Sequence, residues 1–510
     1  MTYEQAREFI QNTAKFGSIL GLDNMQALMQ ELGNVQDTIP IIHIAGTNGK
    51  GSVGTYLTSM FQELGLKVGR YCSPCVFDPL EAWQYDGRNI TKAEYAKTLS
   101  QVKKACDIVV SKGIQPTVFE IETALAFVYF SEMPTDILLL ETGMGGETDA
   151  TNIITKPIAC VFTNISYDHM QFLGESLEEI AQVKSGIIKP WVKVFSAQQL
   201  PEVESVLTKK ANEENTKNTW TDDVNMIYQI TNIMDTNHIR EKEERETHSF
   251  TEYIQYKDYF KTISFVKENE LYKISQTPTE LIFCYKGITY KTTLTGSYQM
   301  KNAALAIDVM HEILDNTVLN EYWNFFLKIH HKAEPNAKMI FTDKLSRNEI
   351  ILKCCQKGIA KASWAGRFEV IGTEPLCIID GAHNEDAAKQ LRITLENCFT
   401  NPSLVYIIGV LADKEYKQIL EQMLPYAEKV FTITPPNPRA LDGKVLAEEV
   451  KSIDNEKDVT FCKSVELAVE NAIHYAREHK KPILAFGSLS YLSAFKEAYI
   501  KIEFQKIKNV

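Results

Sequence analysis

The amino-acid sequence predicts an α/β protein in two parts: an N-terminal doubly wound domain opened by a phosphate-binding glycine loop (a P-loop), and a smaller C-terminal Rossmann-like α/β domain. Three observations carry this. The apolar run Ile41-Ile42-His43-Ile44-Ala45 passes straight into Gly46-Thr47-Asn48-Gly49-Lys50-Gly51-Ser52, and a helix-like segment follows from Val53 to Leu64, closed by Gly65. The run Ile137-Leu138-Leu139-Leu140 is apolar without alternation, as in a parallel strand buried on both faces. From about Gly296 strand and helix signals alternate a second time, without a second glycine loop. Strands interleaved with helices build parallel sheets covered by helices on both sides.

Taken in order, Tyr3 to Thr13 and Asp23 to Leu32 read as helices, the second stopped by Gly33. A strand over 39–45, a helix over 52–64 and a short strand over 67–71 follow. Residues 92–110 read as a helix, and 117–130 as another whose apolar character all round marks it as buried. Strands at 137–140 and 158–162 complete the first alternation. The stretch from about 210 to 275 is rich in Asn, Thr, Lys and Glu and contains the charge run Arg240-Glu241-Lys242-Glu243-Glu244-Arg245-Glu246. It reads as a solvated insertion. Residues 280–295 alternate like a hairpin around Lys286-Gly287. Beyond it come a helix from Asn302 to Ile313 and strands at 376–380, 405–410, 429–434 and 482–486. The expected domains are 1–295, holding the insertion, and 296–510. Two such units create a cleft suited to a ligand.

Composition bounds the function. With 510 residues, 44% hydrophobic and 24% charged, the chain supports large cores and ordinary globular folding. A net charge of -12 argues against a nucleic-acid partner, which needs basic surface. It leaves room for an anionic ligand in a local basic pocket. No apolar run is long enough to span a bilayer, and Met1 to Arg7 lacks the order of a signal peptide. Ten scattered cysteines do not form a disulfide framework. The expectation is a reduced, cytoplasmic, monomeric protein with no membrane partner. Cys72-Ser73-Pro74-Cys75 has the spacing of a redox pair or half a zinc site. A second pair of that form is missing, since Cys354 and Cys355 are adjacent, so it reads as two ordinary thiols.

The glycine loop carries the chemistry. Glycines let backbone N–H groups turn inward, the helix N-terminus adds positive potential, Lys50 reaches terminal phosphates, and the Ser52 hydroxyl suits a magnesium ion. The loop is shorter than the usual P-loop, which has a glycine where Ile44 stands. Glu141 ends an apolar strand and opens Thr142-Gly143-Met144-Gly145-Gly146, a position where a Mg·ATP site needs a carboxylate. Asp168 and His169 follow the strand at 158–162 on the same sheet edge. Lys184, in Val183-Lys184-Ser185-Gly186-Ile187-Ile188, by itself reads as a surface or capping lysine. In the second unit, Trp364-Ala365-Gly366-Arg367 and Asp380-Gly381-Ala382-His383-Asn384 are polar clusters beside strands and by themselves read as turns.

The wording HIAGTNGKGSV, His43 through Val53, resembles the ATP site of folylpolyglutamate synthases and dihydrofolate synthases, members of the Mur ligase superfamily. The order and spacing of the other clusters repeat that family over nearly the whole chain. The resemblance implies an ATP-dependent ligase adding L-glutamate to a folate or dihydropteroate carboxylate through an acyl phosphate. It implies that Gly46, Thr47, Asn48, Gly49, Lys50, Gly51 and Ser52 bind the ATP triphosphate. Ser73, Glu141 and His169 are implied to hold two Mg2+ ions, and Lys184 to be carbamylated beside the second. Asn302, Arg367, Asp380 and His383 are implied to reach ATP from the C-terminal domain. Thr117, Val118, Phe119 and Glu120, with Thr148, Asp149 and Ala150, fall where the family contacts the pterin. Lys50, His169 and Lys184 are the expected catalytic residues.

The chain departs from the family at Cys75-Val76, where His-Leu is usual, at Ala82 in place of arginine, and at Glu147 in place of arginine. These changes bear on acceptor preference rather than ATP chemistry. The stretches near 235–262 and 320–347 look like additions. Other readings stay open at this point. A Mur ligase acting on a cell-wall precursor normally carries a dedicated N-terminal domain, and the first strand here begins near residue 39. A P-loop kinase or switch, or a nucleotide-binding protein without ligase activity, predicts no glutamate dependence.

Overall fold

A computed structural model of the chain describes residues 1–17, 21–215, 262–315 and 344–508. The charge run at 240–246 and most of the stretch at 320–347 lie outside the described residues. The chain parts into two compact units. The first gathers Met1–Cys75, Leu80–Glu268 and Lys301–Ile359; the second gathers Val76–Pro79, Asn269–Met300 and Ala360–Val510. The sequence reading draws a single boundary at 295/296; by contact, 269–300 belongs with the second unit and 301–359 returns to the first.

The first unit is built on an eight-stranded sheet. In chain order its strands are β1 (Ile41–Ala45), β2 (Val68–Tyr71), β3 (Trp83–Tyr85), β4 (Arg88–Asn89), β5 (Ile137–Glu141), β6 (Ala159–Phe162), β7 (Lys193–Ser196) and β8 (Ile263–Phe265). Their spatial order is β4-β3-β2-β5-β1-β6-β7-β8. Pairing is parallel from β2 through β8, and β3 and β4 add an antiparallel edge. Its helices are α1 (Tyr3–Thr13), α2 (Asp23–Glu31), α3 (Lys50–Glu63), α4 (Lys92–Ser111), α5 (Val118–Glu132), α6 (Met170–Leu173), α7 (Leu177–Ser185), α8 (Pro201–Glu214), α9 (Gln299–Asp315) and α10 (Lys344–Lys361), of which α9 enters this unit at Lys301.

Local chemistry sets the helix starts. Thr2 with Gln5, Thr91 with Glu94, Thr117 with Glu120 and Ser176 with Glu179 each form a reciprocal capping box, which satisfies two otherwise orphaned backbone donors. Every residue of β1 and β5 is buried. One core packs α1, α2, α4 and α5 with β2, β3 and β5. Another packs α7 and α8 with β6 and β7.

The second unit holds a three-stranded antiparallel sheet and a six-stranded one. The small sheet is β9 (Leu271–Thr277), β10 (Glu280–Tyr285) and β11 (Ile288–Thr292), in the order β11-β10-β9. The larger is β12 (Glu369–Thr373), β13 (Leu376–Ile379), β14 (Leu404–Ile408), β15 (Ala427–Thr432), β16 (Asp458–Phe461) and β17 (Ile483–Phe486), ordered β12-β13-β17-β14-β15-β16. All its pairs are parallel except β12 with β13. Helices α11 (Glu385–Cys398), α12 (Tyr416–Met423) and α13 (Gly443–Ile453) pack into one core, and α14 (Val465–His479) and α15 (Leu492–Lys508) into another. This is the Rossmann-like arrangement expected from sequence.

The edges of the predicted insertion are regular structure. The chain is helical to Glu214, β8 joins the large sheet, and β9 turns the expected hairpin into three strands. Strand β9 escapes detection because most of its residues, such as Lys273 and Ser275, are exposed and polar.

Candidate active site

Strand β1 lies between β5 and β6; from β1 the chain runs toward β2 on one side of the sheet, whereas from β5 and β6 it runs toward β6 and β7 on the other. Such a topological switch point opens a crevice at the carboxyl ends of the strands. Ile44 pairs with Glu141 and Ala45 with Phe162, so the loops after β1, β5 and β6 begin level with one another. Thr47 N donates to Asn164 O at 2.8 Å, Thr47 Oγ1 to Ser166 O at 2.9 Å, and Ser166 N to Thr47 Oγ1 at 3.1 Å. Asn48 pairs with Asn164 as an isolated bridge. The glycine loop is thus zipped to the loop after β6.

Two glycines of the loop are required by geometry. Gly46 has φ +146°, and a Cβ there would overlap the Thr163 hydroxyl. Gly49 has φ +100° and caps α3, and a Cβ there would stand 2.6 Å from Asn302 Oδ1. Asn302 therefore lies against the loop from the start of α9. It belongs to the first unit, whereas the resemblance implied that it came from the C-terminal domain. Ser52 is buried in the first turn of α3.

Lys50 and Lys184 converge on one carbonyl. Lys50 Nζ donates to Gly46 O at 3.1 Å and Thr47 O at 3.3 Å, and Lys184 Nζ donates to Gly46 O at 3.1 Å. Glu141 Oε1 stands 3.9 Å from Lys50 Nζ. Lys184 is 4% exposed. Burial, reinforced by the Lys50 charge and opposed by Asp168 and Asp149, pushes its ammonium down to about 7 from the ordinary 10.5. A buried lysine with a neutral fraction at physiological pH is a reactive amine rather than a surface cap.

His169 takes a left-handed conformation, φ 52°, and caps α6. Its Nε2 is 3.9 Å from Asp168 Oδ2, and its backbone N–H is held by Asp168 Oδ1 at 2.8 Å. Ser73 is half-buried after β2, and Cys72 and Cys75 form no disulfide. Among the described residues no three His, Cys, Asp or Glu side chains gather as a metal cage. Magnesium suits such a setting, because it binds through one or two carboxylates and keeps waters and substrate phosphates. Glu141 at the end of β5 and Asp168 in the loop after β6, the two strands that flank β1, supply hard oxygen donors of that kind.

The residues implied to face the pterin have structural duties of their own. Thr117 and Glu120 cap α5: Thr117 N donates to Glu120 Oε2 at 2.6 Å and Glu120 N to Thr117 Oγ1 at 3.3 Å. Val118 and Phe119 are half-buried, and the Phe119 ring lies against Gly143. Asp149 accepts from Met144 N at 2.8 Å, Thr151 N at 3.0 Å and Thr151 Oγ1 at 2.5 Å, and so folds the loop after β5. Thr148 is half-buried and Ala150 buried beside it. Glu147, the departure from the family, is exposed; its backbone N–H is tied to Val183 O at 2.9 Å.

In the second unit Asp380 closes β13 and is 3% exposed. It accepts from Phe368 N at 2.7 Å, Ala382 N at 2.8 Å and Tyr298 OH at 3.3 Å. Burial raises its carboxyl and the Arg367 charge opposes the rise. Arg367 lies against Gly381 and donates to Gly366 O at 3.2 Å; His383 Nδ1 is 2.8 Å from Gly381 O.

Two polar residues inside buried strands were passed over by the sequence reading. His43, fully buried in β1, places Nε2 2.9 Å from Thr151 Oγ1, and burial pushes it down to about 3. Because the Thr151 proton goes to Asp149, His43 Nε2–H is the donor in that contact. Arg70, 3% exposed in β2, donates to Thr55 Oγ1 and Gly51 O at the start of α3. A charged or titratable residue within an apolar strand was the available signal for both.

Comparison with known proteins places this architecture. Residues 44–310 match the Mur ligase middle domain, and residues 366–489 the Mur ligase, glutamate ligase domain. The chain is 29% identical over 470 residues to the dihydrofolate synthase/folylpolyglutamate synthase of Bacillus subtilis, covering 91% of this chain and 93% of that protein. It superposes with TM-score 0.73 and 24% identity on Mycobacterium tuberculosis folylpolyglutamate synthase complexed with ADP and AMPPCP, covering 98% of each chain. Escherichia coli FolC in complex with DHPP and ADP gives TM-score 0.71 at 21% identity, covering 100% of this chain and 99% of that one. At these structural identities the likeness is one of fold. Two matched domains, of which the first alone spans residues 44–310, establish that the chain belongs to the Mur ligase family.

Proposed function

We propose that the chain is an ATP-dependent ligase that joins the amine of L-glutamate to a carboxylate of a folate or of dihydropteroate. The observation that carries this reading is the convergence of Lys50 and Lys184 on the Gly46 carbonyl, with Glu141 3.9 Å from the Lys50 ammonium, in the loop that leads into the N-terminus of α3. Inward-facing N–H groups at a helix N-terminus bind phosphate. The relatives with ADP, AMPPCP and DHPP support ATP and a pterin as ligands.

A carboxylate is a poor acyl donor at neutral pH. In the proposed reaction its oxygen attacks the γ-phosphorus of ATP, ADP leaves, and an acyl phosphate forms. The glutamate amine then adds to the carbonyl carbon, and phosphate departs from the tetrahedral intermediate. Lys50 offsets negative charge on the γ-phosphate, and the glycine loop fixes the triphosphate in line. Magnesium, when bound, would supply further charge neutralisation, with Ser73, Glu141 and His169 as its proposed protein ligands. Lys184 is the proposed carbamylation site. Its neutral amine adds to carbon dioxide with loss of one proton, and the depressed basicity of the buried side chain supplies that neutral form.

The test is release of phosphate from ATP with L-glutamate, measured separately with dihydropteroate and with a tetrahydrofolate. Release that requires both glutamate and one of the acceptors is expected. ATP hydrolysis indifferent to glutamate overturns the reading and favours a kinase or switch.

A further inference from the structure

We propose that Arg70 is a positioning residue for nucleotide binding: it clamps the first turn of α3 to the neighbouring strand β2 and so holds the glycine loop in its binding shape. This rests on the ATP-binding role proposed above, and deepens it.

Strand β2 reads Val68-Gly69-Arg70-Tyr71 and is buried throughout. Arg70 NH1 donates to Thr55 Oγ1 at 2.8 Å, and Arg70 NH2 to Gly51 O at 2.6 Å. Thr55 Oγ1 itself donates to Gly51 O at 2.8 Å. The three contacts close a ring: guanidinium to hydroxyl, hydroxyl to carbonyl, guanidinium to the same carbonyl. Room for the side chain comes from Gly54, where a Cβ would stand 3.2 Å from Arg70 Nε. Gly51 and its neighbours Lys50 and Ser52 are the residues on which the proposed phosphate contacts depend.

Guanidinium suits this task. It is planar, stays charged, and meets two acceptors from two nitrogens held on one rigid fork, whereas an ammonium offers one nitrogen on a flexible stem. Hydrogen bonds from a charged donor are shorter and stronger than neutral ones. The location is informative too. A helix N-terminus favours anions, and a buried cation there works against the macrodipole. Lys50 lies in the same turn. Stability alone does not favour placing Arg70 under that turn, whereas a bound polyphosphate reverses the sign of the interaction.

The experiment measures ATP affinity by calorimetry, and melting temperature with and without ATP, on the full chain. Arg70→Met is expected to weaken ATP binding about ten- to hundredfold, as loss of two charge-assisted hydrogen bonds predicts. Its ATP-induced rise in melting temperature shrinks, and the KM for glutamate stays near that of the parent. Arg70→Lys recovers only part of the affinity, because a single nitrogen on a flexible stem replaces the rigid fork that meets the two acceptors from separate nitrogens. Thr55→Val opens the ring from the other side and weakens ATP binding less, whereas Thr55→Ser keeps the hydroxyl and restores affinity. A merely structural arginine would lower the melting temperature without nucleotide and leave the ATP-induced rise intact; that result overturns the proposal. Where Arg70→Met fails to fold, the contrast between Thr55→Val and Thr55→Ser decides, and equal ATP affinity in the two overturns it. A parent protein that binds no ATP refutes the proposed function itself.

Discussion

Replacing Lys184 by methionine should make the folded protein more stable and remove its ligase activity. The fall of the Lys184 ammonium from 10.5 to about 7 corresponds to about 5 kcal/mol at 1.36 kcal/mol per pH unit. The sign follows from proton counting. Below pH 7 the side chain is charged in both states, and the folded state carries the whole desolvation cost. Between pH 7 and 10.5 the unfolded chain binds the proton and the folded one does not, so parent stability rises with pH. Above 10.5 both are neutral. Methionine removes the buried charge and keeps most of the packing volume. Against this, Gly46 O loses one of its two ammonium donors, worth about 1 kcal/mol. Removing a buried charge in favour of an apolar side chain commonly stabilises by about 1–4 kcal/mol, so a net gain of about 3 kcal/mol is expected near pH 6.5.

The assay is urea unfolding of parent and Lys184→Met across pH 6.5 to 9.5, in buffer free of bicarbonate and divalent ions. The advantage of the variant should shrink by about 1.4 kcal/mol per pH unit above pH 7. Glutamate-dependent phosphate release should be lost throughout. A difference that stays flat with pH, or a variant less stable than the parent at pH 6.5, would refute the reasoning about the buried amine.

Lys50→Ala should abolish glutamate-dependent phosphate release while costing about 1–2 kcal/mol of stability, since its part-buried ammonium donates to Gly46 O and Thr47 O; near-normal release would remove Lys50 from the site. Gly46→Ala should cost about 2–5 kcal/mol, combining a left-handed backbone with overlap on Thr163, and melting temperature read against Gly65→Ala checks it, because Gly65 also has positive φ but open space around it. Thr117→Ala should cost about 1 kcal/mol through the lost cap, and Thr117→Ser should recover it; a raised KM for the pterin in Thr117→Ala alone would add a substrate contact to the capping role.

The sequence made the first unit's strand ends legible because each is an unbroken apolar run ending in a glycine-rich or acidic loop. Glu141, Asp168 and the glycine loop each follow such a run, and the parallel register of β5, β1 and β6 brings the loops after the three strands to one edge of the sheet. Three things were hidden. By its own residues Lys184 reads as a capping lysine and only the family resemblance singles it out, because nothing in Gln182-Val183-Lys184-Ser185 shows that the last turn of α7 folds under Gly146. There, a Cβ would stand 2.5 Å from Lys184 O. Strands β12 and β16 are short edge strands with half-exposed residues, so no apolar run marks them. The return of residues 301–359 to the first unit depends on tertiary contacts such as Gly358, where a Cβ would meet Met60 Cα at 2.6 Å, and no local pattern encodes that.

Charge ties these observations together. The chain carries -12 overall, yet Lys50, Lys184 and Arg70 are all gathered around the N-terminal turn of α3, and two of them are buried. That turn already bears about half a positive charge from its aligned peptide dipoles. Glu141 at 3.9 Å offsets one lysine, and Asp168 and Asp149 favour the charge on the other. Like charges held in a low-dielectric interior cost stability unless a counter-charge completes the set. The depressed Lys184 is the visible sign of that cost. Under the proposed function the counter-charge is the triphosphate, so the arrangement that strains the free protein is also what selects a polyanionic ligand for an otherwise acidic chain.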